Sequence, residues 1–283
     1  MTRTRFLAAL VMAPVAIAAI LLLPTEWMMA LAAVLFLAGL WEWFDLAEID
    51  DTLARTVLLV ANLGVMVAIV WASRWSAGFT LVLFKLASVI GVIWWLLALL
   101  WLGRYKFASD HDTHARVFKL AAGALAVIPA WCALAWIHAE EPNGHRWLLT
   151  ALAIVWAADT GAYFAGRKFG GRVFGSRKLA PLVSPNKTIE GLVGGVVAGI
   201  VVGMAFSQFA GAPPSQLPAV ALVALAAVLF SVVGDLFESL LKRHAGVKDS
   251  GDLIPGHGGI LDRIDGVLAA LPVFALGKAL LGF

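Results

Sequence analysis

Nine apolar runs of about 20 residues follow one another through this chain of 283 residues, and each can cross a hydrocarbon core of about 30 Å as a helix. They fall at 6–23, 27–46, 55–72, 79–102, 117–138, 147–166, 189–209, 217–241 and 260–281. The runs do not alternate polar with apolar residues, which excludes the strands of an outer-membrane barrel. Inside lipid a helix satisfies its own backbone. The expected fold class is therefore all-α, a polytopic membrane protein of about nine transmembrane helices. A mean hydropathy of +0.91 agrees. The opening MTRTRFLAALVMAPVAIAAILLL has the basic head of a secretory signal, but its apolar run continues to Leu23 and a second follows at once. A retained first helix is expected.

Basic residues set the orientation. With the N-terminus in the cytoplasm, the inside segments hold Arg3, Arg5, Arg55, Arg104, Lys106, Arg116, Lys119, the basic loop at 167–187, and Lys242, Arg243, Lys248 and Arg263. Arg74, Arg146 and Lys278 fall outside. The positive-inside rule favours this arrangement, and nine spans then put the C-terminus outside. The pI of 9.2 records the same bias and calls for no nucleic acid. The single cysteine, Cys132, sits in an apolar run and can form neither an internal disulfide nor a thiolate metal site. Trp27, Trp41, Trp43, Trp71, Trp75, Trp94, Trp95 and Trp101 lie in pairs or near span ends, as interfacial belts would have them.

Polar residues divide the chain into two stretches of one membrane-embedded unit. Residues 1–116 read as scaffold helices with few interpretable polar groups, and residues 117–283 as the chemical half. Lys85, alone inside the fourth span, is expected to pair or snorkel.

The densest charge cluster is SLLKRHAGVKDSGDLIPGHGGILDRID, residues 239–265, between the last two spans. Just before it Asp235, Glu238, Ser239 and Lys242 stand at i, i+3, i+4 and i+7 and share a helical face. Asp262 and Asp265 share a face near the start of the ninth span, where carboxylates also favour the helix dipole. The short connection makes the two helices antiparallel neighbours, so Asp235 and Asp262 can face each other. Hard oxygen ligands from two helices, with positions left for phosphate, suit Mg²⁺. The PGHGG corner can present backbone N–H groups to an anion.

A second basic element spans 166–191, with Arg167, Lys168, Arg172, Arg177, Lys178 and Lys187. Ser184-Pro185 reads as an N-cap followed by the first residue of a helix whose N-terminus could meet an anion. Asp159, at the end of the sixth span, needs a distant partner or lines a polar cavity. The chain has neither GxxxxGK[ST] nor HExxH nor GxSxG, so P-loop, zincin and serine-hydrolase chemistry are not indicated. His257 suits phosphate binding or loop structure better than general-base work.

Residues 239–265, with the segments DTGAYFAGRKFG (159–170) and KLAPLVSPNKTIEG (178–191), resemble the phosphatidate cytidylyltransferase, or CDP-diacylglycerol synthase, family. The resemblance covers the C-terminal half by motif and the N-terminal half by hydropathy only. It implies a bacterial inner-membrane enzyme, facing the cytoplasm, that makes CDP-diacylglycerol and pyrophosphate from CTP and phosphatidic acid with Mg²⁺. It leaves room for a monovalent cation such as K⁺ and for a homodimer. It implies catalytic roles for Asp235, Asp262, Asp265, Lys242 and Arg243, with metal held by Asp235, Asp262 and Glu238. Substrate contacts are implied for Arg177, Lys178, Ser184, Asn186, Lys187, Thr188, Ser239, Lys248, Asp249, His257, Gly258, Gly259 and Arg263. A CTP-dependent polyprenol or phytol kinase would carry a different signature after the acidic helix. A transporter with intramembrane carboxylates would place broken helices near the midplane rather than gather charge at one end.

Overall fold

The structure is a computed structural model that describes residues 13–74, 80–175, 177–251 and 258–283. Among these residues eight helices are long and apolar enough to cross a membrane. They follow a shorter helix, α1 (Ala13–Leu22), which is the described part of the first expected span. The eight are α2 (Thr25–Leu46), α3 (Thr52–Ser73), α4 (Val82–Leu102), α5 (Thr113–Ala139), α6 (Gly144–Phe169), α7 (Ile189–Phe209), α8 (Leu217–His244) and α9 (Leu261–Leu281). The all-α expectation holds, and the apolar runs locate these helices to within a few residues.

Side-chain caps fix several starts. Asp51 accepts from the Leu53 amide at 2.9 Å and Asp112 from the Ala115 amide at 2.7 Å. Each satisfies an amide that the first turn cannot pair internally. α9 stops where Gly282 takes a left-handed conformation with φ 72°.

α5 and α9 are the most deeply buried of these helices, and α9 packs against both α5 and α8. α3 is nearly all lipid-facing, with only Met66 and Ser73 buried. α6 packs closest on α7, whose Gly191, Gly195, Gly199 and Gly203 repeat every fourth residue on a buried face. A Cβ on Gly195 would stand 2.8 Å from the Ala158 carbonyl oxygen, so only glycine allows this approach.

Two expectations are corrected here. Ser184-Pro185 does not open a helix. Ser184–Thr188 is strand β2, paired antiparallel with β1 (Lys178–Ala180) in the register Lys178 to Thr188 and Ala180 to Ser184. The helix begins at Ile189 with Thr188 as its cap, Thr188 Oγ1 accepting from the Gly191 amide at 3.1 Å. The paired backbone of 178–180, which no local cap signal reveals, draws the Ser-Pro segment into a ladder.

The belt reading also fails for four tryptophans. Trp43, Trp94, Trp95 and Trp101 are buried and surround Phe237 of α8 at centroid distances of 5.9, 5.8, 6.0 and 5.2 Å. Trp43 Nε1 donates to the Lys119 carbonyl at 2.8 Å and Trp95 Nε1 to the Leu268 carbonyl at 3.1 Å, so their polar tips are satisfied inside the bundle. Trp27 and Trp71 are exposed as expected, and Trp75 lies outside the described residues. The cage ties α2 and α4 to the helix that carries Asp235 and Glu238. Lys85 stands over the Trp136 ring, 5.3 Å from its centroid.

Candidate active site

α8 and α9 run antiparallel, and their polar faces meet at one end of the bundle. Asp235, Glu238 and Asp265 each bring a carboxylate oxygen to this point, all within 4.8 Å of one another. Glu238 is buried; its Oε2 meets Lys242 Nζ at 2.6 Å, while its Oε1 has no hydrogen-bond partner among the described residues. Asp235 forms an ion pair with Lys187 of β2. Three carboxylates this close repel one another, and two lysines offset only part of that charge. Hard oxygens from two helices, one buried and unpaired, fit a divalent cation.

Asp262 lies beside that group, next to Glu238 across the shared Lys242 ammonium, but is not one of the three that meet. Its Oδ1 meets Lys242 Nζ at 2.6 Å. Its Oδ2 accepts from the Ser250 amide at 3.1 Å, the Ser250 hydroxyl at 3.1 Å and the Gly259 amide at 2.9 Å. The sequence pairs Asp235 with Asp262; the structure gathers Asp235 with Asp265 and gives one oxygen of Asp262 to Lys242 of α8 and the other to Ser250 and Gly259 between the helices. Gly258 is required where it stands: its φ is +80°, and a Cβ there would come within 2.8 Å of Asp262 Oδ2. Lys248 and Asp249 are exposed, Ser239 is half-buried, and His257 lies outside the described residues.

A cavity of about 630 Å³ opens beside the carboxylates, between α6, α7, α8 and the hairpin. Ala158, Gly195, Val228 and Val232 form its apolar wall. Asp159, Arg167, Ser184, Asn186, Lys187, Thr188, Asp235 and Arg263 supply its polar side. Asp159 thus faces this cavity, the second of the two alternatives the sequence leaves. Arg177 and Lys178 are exposed at the start of the hairpin. Arg243 Nε donates to the Val183 carbonyl at 3.2 Å and holds the hairpin turn against α8.

Two buried carboxylates escape assignment from sequence. Glu190 Oε1 accepts from the amides of Gly171, Val173 and Phe174 at 3.0, 3.3 and 3.1 Å, fixing the chain as it leaves α6. Glu42 of α2 is 3% exposed and accepts from the Ser250 hydroxyl and the amides of Ile260 and Leu261. The signal for Glu42 was its position: an acid inside the apolar run LAGLWEWF.

A family model described as the cytidylyltransferase family matches residues 3–280. A phosphatidate cytidylyltransferase of Pseudomonas aeruginosa is 36% identical over 275 residues, covering 97% of this chain and 96% of that protein. One from Haemophilus influenzae is 37% identical over 289 residues, covering 97% and 98%. One from Bacillus subtilis is 44% identical over 132 residues, 47% of each chain.

Proposed function

The chain belongs to the cytidylyltransferase family and is an integral membrane enzyme; from that premise we propose how its residues make CDP-diacylglycerol from CTP and phosphatidic acid. A phosphate oxygen of phosphatidic acid attacks the α-phosphorus of CTP. The new P–O bond forms as the bond to the β-phosphate oxygen breaks, and pyrophosphate leaves. The nucleophile is already an anion, so no side chain has to take a proton from it.

Asp235, Glu238 and Asp265 would hold Mg²⁺, whose charge, when bound, offsets that of the phosphates and favours in-line geometry. Lys187 and Arg263 line the cavity beside them and bind phosphate oxygens. Lys242, between Glu238 and Asp262, balances two carboxylates on one ammonium and fixes α8 against α9. Arg243 keeps the hairpin over the cavity through Val183. The apolar wall lies within membrane-spanning helices, so the lipid's glycerol end can reach the carboxylates while its acyl chains stay in the bilayer. One observation carries this reading: Asp235 lines the cavity and also belongs to the carboxylate group.

Purified protein given labelled CTP and phosphatidic acid should form CDP-diacylglycerol with Mg²⁺ and none in EDTA. A product lacking the cytidine label would point to a kinase instead. A K⁺ requirement in the same assay tests the monovalent ion, and light scattering of the detergent-solubilised protein tests a homodimer.

The reading places this end of the bundle in the cytoplasm of a bacterial inner membrane, following the basic segments. In a Cys132→Ala background, Lys178→Cys should be labelled from the cytoplasmic side and Glu141→Cys from the outside. Labelling of both from one face would overturn the orientation.

A further inference from the structure

Glu42 lies near the end of α2, outside the cavity, and takes no part in the reaction as described. It is nevertheless among the most enclosed charges of the molecule. Its Oε1 accepts from the Ile260 amide at 3.0 Å, and its Oε2 from the Leu261 amide at 2.8 Å. These amides belong to the start of α9, where a helix has no internal acceptor to offer and its dipole favours an anion. Glu42 Oε2 also stands 3.0 Å from the Ser250 hydroxyl, which is 3.1 Å from Asp262 Oδ2. That hydroxyl has one proton and gives it to one carboxylate at a time. From Ser250 the chain of contacts continues through Asp262 and Lys242 to Glu238. Gly251 closes over the same carboxylate: a Cβ there would stand 2.7 Å from Glu42 Oε1, and the three atoms nearest to it all belong to the Glu42 side chain.

We infer that Glu42 is a positioning residue for the cytidylyl transfer, setting the first turn of α9 and with it the places of Asp262 and Asp265 relative to Asp235. The inference deepens the reading of the preceding subsection and rests on it. A mere staple between helices would affect stability alone. A positioning residue affects turnover and the Mg²⁺ requirement of protein that has folded normally.

Glu42→Gln keeps the shape but removes the charge and turns an amide toward at least one of the three donors. With both substrates saturating, its kcat should fall about 10- to 100-fold, the range for loss of a charge-assisted bond. The Mg²⁺ concentration for half-maximal activity should rise, with the apparent KM for CTP within about 3-fold of wild type, since binding common to ground and transition states is untouched. Gly251→Ala approaches the same contact from the other side, leaves the carboxylate in the protein, and carries the test should Glu42→Gln fail to fold. It should show the same signature alone and add nothing in a Glu42→Ala background, the mark of coupled neighbours. Wild-type kcat and Mg²⁺ dependence per folded Glu42→Gln molecule, or independent effects in the Gly251 pair, overturn the inference. Wild-type protein inactive at every Mg²⁺ concentration overturns the reaction itself and the inference with it.

Discussion

The two ends of the bundle treat charge differently. At the end that holds residues 239–251, Asp235, Glu238 and Asp265 crowd together, and Lys242 is shared between Glu238 and Asp262. Glu238 Oε1 is left without a partner among the described residues. At the opposite end several polar groups pair off across the bundle. Lys278 meets Glu140 at 2.9 Å, His138 meets Thr25 Oγ1 at 3.0 Å, and Gln216 donates to the Gly282 carbonyl at 3.1 Å. Both ends join helices across the bundle. The difference lies in what remains over: paired groups hold a structure closed, while a surplus of anions beside a cavity needs something from outside the chain to balance it. That surplus marks the reacting end.

The comparison is tested most severely by removing one anion from the surplus. Asp235→Asn and Asp265→Asn preserve shape, and each should lower turnover by about 10³-fold or more, as expected when several kcal/mol of charge stabilisation is lost. Elution of the detergent-solubilised protein should be unchanged. Near wild-type activity at saturating Mg²⁺ would remove that residue from the cation group. Asp262→Asn should be milder, about 10- to 100-fold, because the Asp262 oxygens hold Lys242, Ser250 and Gly259 rather than joining the group. Equal losses at Asp262 and Asp265 would erase the distinction between them.

Lys242→Met comes next. Removing one partner of a buried pair costs about 3–5 kcal/mol because a buried charge is left behind, and here two are left. Lower thermal stability and a deep loss of kcat should appear together, and full activity would show that the ammonium balances nothing the reaction needs. Lys187→Ala should act more narrowly. Its ammonium reaches the cavity from β2 and pairs with Asp235. We expect the apparent KM for CTP to rise about 10-fold or more and that for phosphatidic acid to move less. Equal shifts for both substrates would merge the hairpin and the helix ends into one phosphate cluster.

What the sequence revealed, and what it concealed, follows the reach of each signal. Apolar run length is local, so the helices were legible nearly to their ends. The i, i+3 spacing put Asp262 and Asp265 on one face but could not tell them apart, since the difference comes from Ser250 and Gly259 folding onto one of them. Ser184-Pro185 carried a cap signal that a strand partner overrode. Trp43, Trp94, Trp95 and Trp101 looked interfacial by position, yet Phe237 draws them inward from far along the chain. Glu42 had no spaced partner at all, because its donors lie 208 to 219 residues away.

The smallest expected effect is at the far end, with the same substitution used for Lys242. Lys278 is buried, but Glu140 across from it is 39% exposed, and the ammonium also lies 5.3 Å from the centroid of the Trp147 ring. Methionine keeps the apolar stem against Trp147 and removes only the charge. Glu140 can then turn to water, so no buried anion is stranded as happens at Lys242→Met. The cost should approach that of an exposed ion pair, about 1 kcal/mol or less, read as a small drop in the melting temperature of the detergent-solubilised protein. Because Lys278 is paired with Glu140 and does not line the cavity, kcat and both KM values should match wild type. A turnover loss at Lys278→Met approaching that at Lys242→Met would mean the two ends are coupled through the bundle, and the contrast between a closed end and a reacting end would not survive.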